Sequence, residues 1–91
     1  MEQTPVLIEC NVSKGMFDTE YAVEIILPGG DKISLFADKE LIKSVNGKTF
    51  LMVNVLTEVP ENNEKSVLLP SESFEKGSRW VRFPADRLVL A

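Results

Sequence analysis

Apolar and polar residues alternate along most of this chain. The apolar positions run Val6, Ile8, Cys10, Val12; then Tyr21, Val23, Ile25, Leu27; then Ile33, Leu35; then Leu51, Val53, Val55; then Val67, Leu69. A period of two gives an extended segment one apolar and one polar face, the pattern of a half-buried β-strand. The separators carry turn chemistry: Lys14-Gly15, Pro28-Gly29-Gly30-Asp31, Asn46-Gly47, Glu61-Asn62-Asn63-Glu64 and Lys76-Gly77-Ser78. Together they predict an all-β fold of six to seven strands: one domain over residues 1–91, a small barrel or a strongly bent antiparallel sheet.

The one competing helical signal lies at Ala37 to Lys43, where Asp38 is a candidate N-cap. Ser44-Val45-Asn46-Gly47 must end it, and a helix that short has little stability of its own. A 3₁₀ or single α turn between strands is the expectation.

Three segments follow one scheme: Leu35 to Leu41, Leu68 to Phe74 and Arg82 to Leu88. Each runs from strand to Pro or Ala, through a short polar turn, to a large apolar residue. Proline ends a hydrogen-bond ladder, small polar residues suit a tight turn, and the following apolar side chain returns to the core. The scheme is a corner, and closing a small sheet on itself needs corners.

The last copy, Val81-Arg82-Phe83-Pro84-Ala85-Asp86-Arg87-Leu88-Val89, resembles the end of an SH3-like barrel, where a strand meets a proline, makes one 3₁₀ turn and exits into a short final strand. The resemblance covers these nine residues and implies an SH3-like small barrel, with an OB-like barrel as the alternative. An acidic, tyrosine-rich peptide groove of the signalling SH3 kind is missing, since Tyr21 is the only tyrosine. Proline-peptide binding therefore does not carry over.

Composition narrows the function. The chain has 91 residues, 14 acidic against 10 basic, and a formal charge of −4. That balance disfavours a broad nucleic-acid or anionic-membrane surface, both of which need clustered positive charge. Met1 to Pro5 carry no basic leader, and Val6-Leu7-Ile8 is too short for a signal or membrane segment, so a cytoplasmic protein with no membrane partner is expected. Cys10 is the only cysteine and histidine is absent, which removes disulfides, Cys/His zinc sites and the commonest general base.

No catalytic, metal or cofactor site emerges. Gly29-Gly30 lacks the spacing and the following Lys of a phosphate loop, and Asp38 with Glu40, or Glu72 with Glu75, reads as solvated surface charge. A non-enzymatic role is expected.

Two places suggest binding. The loop Lys14 to Glu20 carries Met16 and Phe17, which either cap an open barrel end or stand out as an anchor for a partner protein. The second place holds the only Trp and all three Arg of the chain: Arg79, Trp80, Arg82 and Arg87. Alternation alone does not fix the inward face of this strand: Val81 with Phe83 is the more apolar pair, which would leave Trp80 and Arg82 outside, where they suit an acidic partner segment or a stacked base, whereas a Trp80 turned inward would leave the arginines without an aromatic centre. Otherwise Trp80 is half buried and the arginines pair with carboxylates. The expected function is a small protein-binding or accessory module; a nucleic-acid-binding barrel using the Arg/Trp cluster and an acidic inhibitor or mimic are the alternatives. Homodimerisation through an uncovered sheet edge stays open.

Overall fold

The computed structural model describes residues 3–56 and 62–91. The fold is all-β: the described residues form nine strands in two antiparallel sheets, and the only helical pieces among them are two 3₁₀ turns. The strands are β1 (Gln3–Glu9), β2 (Asn11–Lys14), β3 (Glu20–Ile26), β4 (Lys32–Asp38), β5 (Ile42–Val45), β6 (Lys48–Leu56), β7 (Glu64–Leu68), β8 (Trp80–Pro84) and β9 (Val89–Leu90). The larger sheet has the order β8-β7-β6-β1-β9 with β5 also on β6, and the smaller is β2-β3-β4. The count exceeds the expected six or seven because the first apolar run divides at Cys10 and because β5 and β9 are short strands that the alternation did not single out.

That division joins the sheets. Cys10 donates its N–H to the Thr49 carbonyl at 2.9 Å, adding one rung to the β1–β6 ladder, and from Asn11 onward the chain pairs with β3 instead. A small, buried apolar side chain suits this bend.

Closure follows from the last corner. β8 and β9 stand at opposite ends of the larger sheet's main path, four strand spacings apart, or about 19 Å if the sheet were flat. Only residues 85–88 connect them, and the 3₁₀ turn Ala85–Arg87 advances about 2 Å per residue. The sheet therefore curls, bringing its two ends toward each other. Its concave side holds the core, with Val6, Ile8, Leu51, Val53, Val55, Val67 and Phe83 against Val23, Ile25, Ile33 and Leu35 of the smaller sheet.

Two of the three predicted corners behave as expected. Lys39–Leu41 and Ala85–Arg87 each form a 3₁₀ turn, followed by Leu41 or Leu88 packed on the core. Asp38 occupies the N-cap position of the first without a side-chain capping bond. The middle copy is different: Pro70 to Phe74 makes no 3₁₀ turn, Phe74 is 64% exposed, and Ser73 is the buried residue. There the chain leaves the sheet to run along the edge of β4.

The Asn46-Gly47 turn joins β5 to β6 with both central residues at positive φ, 52° and 79°, as a type I′ hairpin requires. Pro28 to Asp31 also turns as expected, closed by Gly30 N–H to the Leu27 carbonyl at 3.1 Å. Of the Pro60-Glu61-Asn62-Asn63-Glu64 turn, Asn62 and Asn63 have positive φ, while residues 57–61 lie outside the described residues.

Candidate functional site

The outward face of the larger sheet is built by register. Trp80 lies opposite Leu68, Leu68 opposite Asn54, and Asn54 opposite Pro5, forming one row across four strands. In the next row Met52 lies opposite Leu7, and Leu7 opposite Val89. Phe50 follows, flanked by Lys43 and Glu9. All of these alternate with core residues and so point away from the core. A sheet face that meets only water is normally filled by polar side chains; here Asn54 is the one polar residue in two adjacent rows, with Leu7 and Phe50 buried among their neighbours and Trp80 and Val89 nearly half exposed.

Alternation at β8 resolves as the sequence suggested. Phe83 is fully buried and Val81 packs on the core, so Trp80, 45% exposed, and Arg82 lie outside. The arginines do not gather around the indole. Arg79 Nε donates to the Leu69 carbonyl at 2.9 Å, closing the base of the β7–β8 connection. Arg82 donates to Ser66 Oγ at 2.8 Å and to the Glu64 carbonyl at 3.0 Å, bracing β8 on β7. Arg87 reaches the Ile26 carbonyl at 2.9 Å, at the end of β3. Each guanidinium ties separate parts of the scaffold.

The Met16-Phe17 loop does not cap the barrel. Met16 is 74% and Phe17 67% exposed. Glu20 N–H donates to the Phe17 carbonyl at 3.2 Å, and Lys39 N–H donates to the Thr19 carbonyl at 3.0 Å. A Cβ on Gly15 would stand 2.7 Å from the Glu20 carbonyl oxygen, so only glycine allows this close return of the chain. Behind Phe17 lies an open hollow of about 350 Å³ lined also by Tyr21, Lys14, Lys39, Asp18 and Glu20. Lys39 Nζ sits 5.0 Å from the Tyr21 ring centroid, a cation–π contact that fixes one wall.

Cys10 is a buried free thiol, and burial, with a smaller contribution from Glu9, pushes its pKa up to about 11. That is the reverse of an activated nucleophile. Among the described residues, no group of three or more Cys, Asp or Glu side chains is gathered as metal ligands would be, and no helix is long and apolar enough to cross a membrane.

The sequence singles out Trp80, Met16 and Phe17 without fixing which way they face, and it does not single out Leu7, Phe50, Met52, Leu68 and Val89. A signal for four of these was present. Val6-Leu7-Ile8, Phe50-Leu51-Met52-Val53 and Val67-Leu68-Leu69 are continuous apolar runs, which mark strands that are apolar on both faces. No protein-family model, curated protein or solved structure matches this chain.

Proposed function

We propose that this protein is a small non-catalytic binding module whose partner is another protein, docked on the outward face of the larger sheet. The observation that carries this reading is the pair of rows, apolar except at Asn54, that contain Trp80, Leu68, Met52, Leu7 and Val89 on a face directed away from the core. Contiguous apolar surface of this kind marks interaction sites, and an aromatic anchor beside Met is typical of interface centres. The exposed Met16-Phe17 tip is a second contact point.

The strand, 3₁₀ turn and final strand over residues 80–90 support an SH3-like reading of the architecture. A cytoplasmic location is part of the same proposal. The nucleic-acid alternative draws no support from the arginines, whose guanidinium groups are engaged with Leu69, Ser66, Glu64 and Ile26.

The test is capture of a partner from native extract, with a photoreactive cross-linker at position 52 to locate the contact. Trp80→Ala and Met52→Glu should each weaken the captured complex by about tenfold or more, with thermal midpoints checked to show that both variants fold. Undiminished capture by both variants overturns the proposed face. Binding of single-stranded oligonucleotides that falls steeply with salt would instead favour the nucleic-acid reading.

A further inference from the structure

The connection between β7 and β8 is longer than its ends require. These strands are antiparallel neighbours, which a two-residue turn can join, yet the chain runs out from Leu69 and returns only at Arg79. It spends the excursion on the free edge of β4. Glu75 accepts from Ser34 with both carboxylate oxygens, Oε1 from the backbone N–H at 2.6 Å and Oε2 from the hydroxyl at 2.9 Å. Phe74 N–H donates to the Ser34 carbonyl at 2.9 Å, and Ser71 Oγ donates to the Phe36 carbonyl at 2.6 Å. The Phe74 ring meets Phe36 edge-on, with centroids 5.3 Å apart. The segment thus imitates a neighbouring strand, using two side chains where a strand would use backbone.

Beneath it lies an edge with a self-complementary sequence. Ser34 and Phe36 direct their backbone groups toward the open side, so an antiparallel partner must place such edge-facing residues opposite one another. For a second copy of β4, the register that uses all seven residues sets Ser34 opposite Phe36 of the second copy. It also sets Ile33 opposite Ala37, and Leu35 on the two-fold axis. Lys32 then falls opposite Asp38 at both ends, two opposite-charge cross-strand pairs. Within one chain Asp38 stands opposite Glu20 on β3, a like-charge neighbour that the second copy's Lys32 would offset.

We propose that residues 70–78 are a guard over this edge, and that releasing it lets two copies join through β4 into a continuous six-stranded sheet. The guard can lift as a unit. Gly77 N–H donates to the Ser73 carbonyl at 2.8 Å, Ser73 N–H to the Ser78 carbonyl at 3.0 Å, and Lys76 N–H to Ser73 Oγ at 3.2 Å. The buried Ser73 is therefore satisfied inside the segment, whose base is closed by Leu69 N–H to the Arg79 carbonyl at 2.7 Å.

Light scattering across a concentration series tests this. The variant Ser71→Ala/Phe74→Ala/Glu75→Ala should dimerise at concentrations where the unmodified chain is monomeric, an association at least about tenfold tighter. Adding Lys32→Asp should return it to monomer, and adding Lys32→Asp with Asp38→Lys should restore the dimer. A triple variant that stays monomeric, or a dimer indifferent to Lys32→Asp, overturns the proposal. Should the triple variant melt below the working temperature, Glu75→Gln alone is compared with the unmodified chain. A larger dimer fraction reversed by Lys32→Asp supports the guard, and an unchanged fraction overturns it.

Discussion

Arg87 holds its guanidinium 4.6 Å from the centroid of the Phe83 ring while donating to the Ile26 carbonyl at 2.9 Å, so one side chain ties the closing corner to both the core and the end of β3. Phe83 is fully buried. Phe83→Ala should cost about 3–5 kcal/mol through lost burial and the cavity left behind. Arg87→Ala should cost about 1–2 kcal/mol, and Lys in its place should recover little, since an ammonium cannot lie flat on the ring while reaching the carbonyl. Urea unfolding of the three variants measures both.

Two glycines should fail for different reasons. Gly15→Ala places a methyl 2.7 Å from the backbone oxygen of Glu20, an obstacle that cannot rotate away, and should destabilise by about 1–3 kcal/mol while loosening the Phe17 loop. Gly47→Ala meets no atom within 4 Å, so its cost comes from a φ of +79° alone and should be about 1–2 kcal/mol. Gly47→Asn should recover part of that loss, because Asn tolerates the left-handed region; Gly15→Asn should recover nothing. Denaturant midpoints separate the two cases.

Hydrogen bonds from the Ser34 backbone and then its hydroxyl, with a smaller contribution from Lys32, hold Glu75 below its ordinary carboxylate pKa. A carboxylate with a depressed folded-state pKa stabilises fully above its unfolded value, and the contribution is lost as pH falls through the folded value. The melting midpoints of the unmodified chain and Glu75→Gln should therefore differ at neutral pH and converge in acid, below the usual glutamate range. Curves that stay parallel at every pH would show that the ionised carboxylate does not matter.

Cys10 carries the opposite sign. Its thiol is raised from 9.0 to about 11 in the folded chain, so the folded state favours the protonated form. That preference is complete below the unfolded value and is lost as pH rises through the window from about 9 to about 11. Stability should fall across this window, and less so in Cys10→Ala. At neutral pH, alkylation should be slow and should follow global unfolding, measured by mass increase against urea concentration.

Legibility tracked how local each cause is. Asn46-Gly47 announces its hairpin because positive φ is a property of those residues themselves. Val81 and Phe83 favour one inward face of β8 because two neighbours on one face are more apolar than the alternates. The corners before Leu41 and Leu88 are equally local. Ser71, Phe74 and Glu75 were opaque, since their partners are Ser34 and Phe36 on a strand distant in sequence. Pattern matching to the other corners therefore sent Phe74 to the core in error. Leu7, Phe50 and Met52 were hidden in another way: a search for alternation passes over runs in which both phases are apolar. Met16 and Phe17 were flagged as unusual, but their direction depends on the contact of Gly15 with Glu20, which composition does not reveal.

The pairing of Val6 with Leu90 and Leu7 with Val89 has a mechanical consequence. β9 runs antiparallel to the middle of β1, so tension applied through the segments flanking these strands loads the two rungs one after the other rather than together. The pair should unzip at low force, and opening it removes the strand that closes the curled sheet. A domain tethered this way gives under a pull at its ends, while the β3–β4 and β1–β6 ladders, each with seven paired positions, remain engaged.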